Sequence, residues 1–241
     1  MAALSQGEPY LVVFLGAPGS GKGTQSTLLS ERYRVARIET SKVLESWFRH
    51  AETGRDTIEV DGERFSVAEE KKKWEGGYLL PDKLVAWFVQ EKLKEHVAER
   101  ESVLLDGFPR TLGQMETLMP FLEASYAKNH VLGIYIDIRE EEAVYRNTNR
   151  RICELMRHSV LYNEETKHLT RCPFDGSRLL TRALDTTEAI KIRLQEFKNK
   201  TLPLLEYFKQ RNIIVHSVKA EQSPYEVFQK VSVLLENMSN E

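Results

Sequence analysis

Apolar and polar positions fall in alternating blocks along the chain. Residues 9–15, PYLVVFL, form an apolar run that stops at Gly16. A short β-branched and aromatic run closed by glycine predicts a buried parallel strand. In the next segment, KGTQSTLLSERY, Leu28 and Leu29 fall on one face of a predicted helix. Similar apolar runs return in SVLLDGFPRT (102–111), HVLGIYIDI (130–138) and NIIVHSV (212–218). The first of these ends at Asp106-Gly107, and the second carries Asp137 at its end. RIE around Ile38 predicts one more short strand. Helical patterns cover 82–100, 112–125 and 186–211, with a kink expected at Pro203. A closing helix over 223–238 takes Ser223 as its cap and Pro224 as its first residue. Strands alternating with helices predict an α/β fold, a parallel sheet flanked by helices on both faces.

Two stretches break this rhythm and read as insertions that project from the sheet. Residues 40–80 are polar and charged, and within them 57–67, TIEVDGERFSV, alternates on either side of Asp61-Gly62, a hairpin signal. Residues 150–182 hold both cysteines with His158, Tyr162 and His168, and little helical pattern. The remainder, 1–39, 81–149 and 183–241, is expected to form one discontinuous core domain.

Composition narrows the class of protein. The 241 residues are 41% hydrophobic and 29% charged, an ordinary globular balance. A net charge of −2 points away from nucleic acid and from anionic membranes. No run approaches the roughly 18 apolar residues of a membrane span. The start, MAALSQGEPY, lacks the pattern of a signal peptide. A cytoplasmic protein is expected, and in a reducing compartment Cys153 and Cys172 are not expected to form a lasting disulfide.

Gly16-Ala17-Pro18-Gly19-Ser20-Gly21-Lys22 fits the first seven positions of G-x-x-x-x-G-K-[ST]. Glycines let successive N–H groups face one phosphate, the helix N-terminus adds partial positive charge, and Lys22 supplies a full one. The residue after Lys22 is Gly23, and the hydroxyl arrives one position later, at Thr24. A hydroxyl in the usual Mg²⁺-ligating place is therefore missing, and Asp106 becomes the acid expected to hold Mg²⁺ through water.

GAPGSGKGTQ together with LLDGFPRT and Gln114 resembles the adenylate kinases, a branch of the nucleoside monophosphate kinases, from Leu11 to about Val233. The resemblance implies a P-loop kinase fold, ATP + AMP ⇌ 2 ADP with Mg²⁺, and a monomer. It makes 40–80 the monophosphate-binding insertion and 150–182 the lid. It places the ATP phosphates on Gly19, Ser20, Gly21, Lys22, Gly23 and Thr24, and stacks Arg146 on the ATP adenine. Arg110 would hold the AMP phosphate, and Arg150, Arg182 and Arg193 would gather round the transferring group. Thr40, Leu80, Val85 and Gly107 would line the AMP pocket, with Gln114 hydrogen-bonding the adenine. Such a cation set suits the chemistry, because two charged phosphate chains must be neutralised and aligned.

The chain departs from the family in places. In ETSKVLE (39–45), Glu45 stands where the family carries a second AMP-phosphate arginine, so either Lys42 or Arg49 substitutes or the AMP site is weaker. The first insertion is longer by about the hairpin. Leu184 replaces the first of two acids, and Asp185 keeps the second. A kinase preferring UMP, CMP or GMP, and a regulatory protein that grips ATP without transfer, are the rival readings.

Cys153-x₄-His158-x₁₃-Cys172-x₂-Asp175 is a candidate zinc site, since thiolates and imidazole suit Zn²⁺ and four ligands close a structural site. Many relatives carry zinc in the lid as C-x₂-C-x₁₆-C-x₂-[CD]. Here Met156 occupies the second position, so His158 is taken as the fourth ligand, with His168 as its competitor. The alternative is a metal-free lid with two incidental thiols.

Overall fold

The structure, a computed structural model, describes residues 8–51, 57–127, 129–181 and 185–238. Arg182 and Leu184 lie outside the described residues. Five strands make the central sheet: β1 (Leu11–Gly16), β2 (Ala36–Glu39), β5 (Val103–Asp106), β6 (Val131–Asp137) and β10 (Ile214–Lys219). Their order is β10-β6-β1-β5-β2, and every pairing is parallel. β1 sits in the middle because all six of its residues are buried. Leu11, Val13 and Leu15 enter one core layer, and Val12 and Phe14 the other, as a period of two requires.

Helices cover both faces, as the alternation predicted. α1 (Lys22–Tyr33) follows β1, and α4 (Asp82–Ala98) and α5 (Leu112–Ser125) bracket β5. α6 (Glu140–Thr148) follows β6, and α9 (Pro224–Met238) closes the chain. Ser223 caps α9 as expected: the backbone N–H of Glu226 donates to its Oγ (3.3 Å), and its own N–H donates to Glu226 Oε2 (2.9 Å). The chain visits β2 and β5 on one side of β1, then crosses to β6 and β10 on the other. A crevice beyond the strand C-termini, at such a change of side, is where open α/β sheets bind ligands.

The long helical pattern of 186–211 resolves into three pieces. They are α7 (Thr187–Glu196), a π-helical turn (Phe197–Thr201) and α8 (Leu204–Gln210). The sequence predicted a kink at Pro203, and the irregularity begins one turn earlier. Proline has no N–H and its ring crowds the carbonyl four residues back, so the turn before it widens, and Leu202 N–H donates to Phe197 O at 2.9 Å.

Residues 40–80 form α2 (Thr40–Ala51), the hairpin β3 (Thr57–Val60) and β4 (Glu63–Ser66), and α3 (Val67–Glu75). Asp61 and Gly62 both take positive φ, 47° and 77°, as a two-residue hairpin turn requires. Residues 150–181 contain the small antiparallel sheet β8-β7-β9, from Ser159–Val160, Arg151–Cys153 and Leu179–Leu180. Among the described residues no helix is long and apolar enough to cross a membrane.

Candidate active site

The loop from Gly16 to Gly21 leaves β1 and enters α1. Gly21 sits at φ 96°, a left-handed conformation that glycine adopts at little cost, and offers no side-chain cap. The first turn of α1 has no acid either. The uncapped N–H groups and the helix dipole therefore remain for an anion. A Cβ at Gly19 would run into Asn147 Nδ2 and stand 2.8 Å from the Ala143 carbonyl, so only glycine lets the loop lie against α6. Ser20 is buried, and Thr24 lies in the first turn of α1.

Lys22 folds back on its own loop, with Nζ donating to the carbonyls of Gly16 at 2.6 Å and Ala17 at 2.8 Å. Burial drives its ammonium down to about 7; Asp106 works against that shift, and Arg110, Arg193 and Arg150 reinforce it. Four of the predicted side chains thus act on one lysine. Arg150 makes a two-pronged pair with Asp185, Nε at 2.9 Å and Nη2 at 2.6 Å, and Arg193 Nη1 stands 3.6 Å from the same carboxylate. Asp185, a retained acid without an assigned role in the sequence, is the anchor that joins these two arginines. Arg146 donates to Glu142 Oε1 and to the Ala220 carbonyl, both at 2.7 Å.

On the other side of β5, Thr40, Gly107, Arg110 and Gln114 come together. Thr40 Oγ1 donates to the Asp106 carbonyl at 3.2 Å, and Arg110 Nε to the Gly107 carbonyl at 2.9 Å. Gln114 follows Arg110 by four residues, but the two do not share a helix: α5 begins at Leu112, capped by Thr111. Arg110 therefore sits on the turn before α5, where its backbone N–H donates to Gln114 Oε1 at 2.7 Å. Thr201, in the π-helical turn, donates to the Arg110 carbonyl at 2.7 Å. An open cleft of about 640 Å³ runs beside this group, lined by Leu80, Asp82, Thr111, Lys73 and Lys200 among others. Leu80 reaches it, whereas Val85 is buried in the main core. Glu45 borders a smaller hollow of about 240 Å³ with Arg49 and Lys71, while Lys42 pairs with Glu39 at 3.3 Å.

Asp106 ends β5 beside the first turn of α1: a Cβ on Gly23 would lie 3.4 Å from its Oδ2. It is bound by a residue that the motifs did not reveal. Arg37 Nη2 pairs with Asp106 Oδ2 at 2.6 Å. The signal was present in RIE, where alternation puts residues 37 and 39 opposite Ile38, on a strand that pairs directly with β5.

In the second insertion, Cys153, His158, Cys172 and Asp175 offer ligand atoms all within 4.8 Å of one another. His158 Nδ1 lies 3.5 Å from both sulfurs and 3.3 Å from Asp175 Oδ2. His158, rather than His168, is the histidine in the cluster. The backbone N–H of His158 donates to Cys153 Sγ at 3.0 Å, and that of Phe174 to Cys172 Sγ at 3.4 Å, the support a thiolate ligand receives. Hydrogen bonds from Cys153 and Ser177 hold the Asp175 carboxyl far below the usual carboxylate range. Two thiols, an imidazole and a carboxylate at this spacing make a cluster suited to a metal ion.

A family model described as Adenylate kinase matches residues 14–213. An adenylate kinase of Chlamydia trachomatis serovar D is 34% identical over 236 residues, covering 92% of this chain and 89% of the relative. One from Clostridium tetani is 32% identical over 227 residues, with 93% and 97% covered. One from Mycoplasma capricolum is 30% identical over 221 residues, with 91% and 96% covered.

Proposed function

The chain belongs to the adenylate kinase family, and from that premise we propose how its residues divide the work of moving a phosphoryl group from ATP to AMP. It is a phosphotransferase that interconverts ATP plus AMP with two ADP. The observation that carries the assignment of residues is the electrostatic grouping of Lys22 with Asp106, Arg110, Arg150 and Arg193 at one loop.

An AMP phosphate oxygen attacks the γ-phosphorus of ATP, and the bridging oxygen leaves with the donor ADP. No side chain needs to form a covalent bond. The loop amides of Gly19 to Thr24 and Lys22 hold the donor phosphates, with Arg146 beside the adenine. Arg110 holds the acceptor phosphate, with Thr40, Leu80, Gly107 and Gln114 around the nucleoside, and Val85 backs this wall from the core. Arg150 and Arg193, locked by Asp185, stabilise charge on the transferring group, joined by Arg182. Arg49, next to Glu45, substitutes for the missing acceptor-side arginine. Asp106, a hard oxygen donor beside the loop, would hold the water shell of Mg²⁺ bound with ATP, and that ion would supply charge neutralisation to the phosphates. Residues 40–80 and 150–182 close over the nucleotides to exclude water. Cys153, His158, Cys172 and Asp175 would hold a structural zinc ion, which would supply a cross-link within residues 150–182 and no chemistry to the transfer.

The test is a coupled assay of ADP formation from ATP plus AMP. Lys22→Met and Arg150→Met should each lower kcat by at least about a hundredfold. Unchanged turnover in either variant removes that residue from the assignment.

A further inference from the structure

Arg37 belongs to none of the motifs, yet all three of its guanidinium nitrogens are engaged behind the phosphate loop. Nε donates to Ser26 Oγ at 2.7 Å, Nη2 to Asp106 Oδ2 at 2.6 Å, and Nη1 pairs with Glu39 Oε2 at 3.0 Å. Ser26 Oγ lies 3.0 Å from the same Asp106 oxygen and 3.1 Å from the Gly23 carbonyl. The Arg37 and Asp106 side chains are only 17% and 11% exposed, so water screens the pair little. These contacts all fall on Oδ2. The guanidinium also reaches α1: a Cβ on Gly23 would stand 3.7 Å from Arg37 Nη2. The position that lacks a hydroxyl is thus flanked by a permanent cation.

The charges around Asp106 are unequal. Glu39 shares Arg37 but is itself paired with Lys42 at 3.3 Å and hydrogen-bonded by Ser41 at 3.0 Å. Asp106 faces Arg37 directly and Lys22 across the loop. Arg37, whose charge is permanent, already offsets this carboxylate.

We propose that Arg37 is a positioning residue that sets the metal affinity of Asp106. It fixes the carboxylate by Oδ2 and offsets its charge, so that free divalent cations are not collected and the metal is taken up only together with the phosphates of ATP. The proposal rests on the reading that Asp106 faces the metal. A purely structural ion pair and a charge regulator differ in sign. Loss of a structural pair loosens Asp106 and weakens metal binding. Loss of an opposing charge strengthens it.

The experiment is a Mn²⁺ titration followed by electron paramagnetic resonance, on the full chain, without nucleotide and with a non-hydrolysable ATP analogue. Arg37→Gln should bind Mn²⁺ without nucleotide at least about fivefold more tightly than the parent. Arg37→Lys, which keeps the charge and loses the fork, should stay within about twofold. Glu39→Gln, at the rim of the network, frees more of the Arg37 charge for Asp106 and should weaken Mn²⁺ binding about twofold. Equal or weaker binding in a folded Arg37→Gln overturns the proposal. Should that variant not fold, unchanged or tighter binding in Glu39→Gln overturns it. Asp106→Asn separates the two readings. If it leaves Mn²⁺ binding with the analogue unchanged, the role of Asp106 itself falls. If it abolishes that binding while Arg37→Gln fails to tighten Mn²⁺ binding without nucleotide, only the role of Arg37 falls.

Discussion

Residues 40–80 and residues 150–181 both leave the central sheet and return to it, but different forces hold them. The first joins the main core: Leu44, Phe48, Val67 and Leu80 belong to its largest apolar cluster. Its hairpin packs Val60 and Phe65 on Leu84 of α4, and Trp47 meets Phe88 of α4 at 5.0 Å between ring centres. The second buries Ile152, Cys153, Val160 and Cys172, none of them part of a core cluster, and leaves Leu155, Met156 and Phe174 exposed. It relies on polar bonds, such as Arg151 donating to the carbonyls of Leu169 and Thr166 at 2.8 Å, and on the Cys153–His158–Cys172–Asp175 cluster. An insertion that shares a core shares its cooperativity, whereas one held by local cross-links can open alone.

The strongest way to break this contrast is Phe48→Ala. Loss of this buried ring from the shared core should cost about 3–5 kcal/mol. At about 2–4 °C per kcal/mol, calorimetry should show one lowered transition for the whole molecule. A separate early transition confined to 40–80 would contradict the shared core. Cys172→Ser should act in the opposite manner. Hydrogen exchange should accelerate across 150–181 while amides of β1 and β6 keep their protection, and turnover should drop about 10–100-fold. Protection lost throughout the sheet would mean that the lid is not a separate unit. A strong chelator should reproduce the Cys172→Ser pattern on the intact chain if the cluster holds zinc.

A smaller effect probes where the lid meets the core. Asp185→Asn keeps the shape and removes the charge that joins Arg150 to Arg193. Turnover should fall about tenfold, equivalent to 1.4 kcal/mol, with the melting temperature nearly unchanged. The smallest effect asks whether cations from both sides meet at one phosphate chain. Lys22 titrates near 7 in the folded protein and at its ordinary 10.5 when unfolded. The unfolded chain therefore binds more protons between these values, and nucleotide-free stability should rise as pH climbs from about 7 to about 10.5. Below 7 the cost is fully present. Bound phosphates should restore the ammonium, so binding of an ATP analogue at pH 8 should take up close to one proton, and at pH 6 almost none. Calorimetry in buffers of different ionisation enthalpy measures this. Arg110→Met and Arg150→Met should each reduce the uptake, and an effect from only one would assign Lys22 to a single side.

The strands of the central sheet, the phosphate loop and the cap of α9 were legible in the sequence because each depends on local pattern: an apolar run, a glycine at positive φ, a serine before a helix. The hairpin was legible from Asp61-Gly62 for the same reason. What stayed hidden depends on contacts between distant segments. Arg37 is 69 positions from Asp106, and nothing near it in sequence announces the pair. Asp185 anchors Arg150 across 35 positions. The widened turn at Phe197–Thr201 was displaced from its expected place because a proline disturbs the carbonyl before it. The helices of 40–80 escaped notice because α3, with Lys71, Lys72 and Lys73 in a row, reads as solvated charge until Trp74 is seen to meet Phe48 of α2. The choice of His158 over His168 turned on a fold of the lid that spacing alone does not define.

Lys22, hydrogen-bonded to its own loop, bears on how long a nucleotide stays. The two carbonyl bonds it makes in the empty loop must be given up when phosphate arrives and are regained when product departs. Much of the enthalpy of gripping the donor is therefore an exchange of partners, not a gain. Such an exchange limits how much affinity Lys22 can add for the donor phosphates. For a catalyst that must release two product molecules in every cycle, a short residence time keeps departure from throttling turnover.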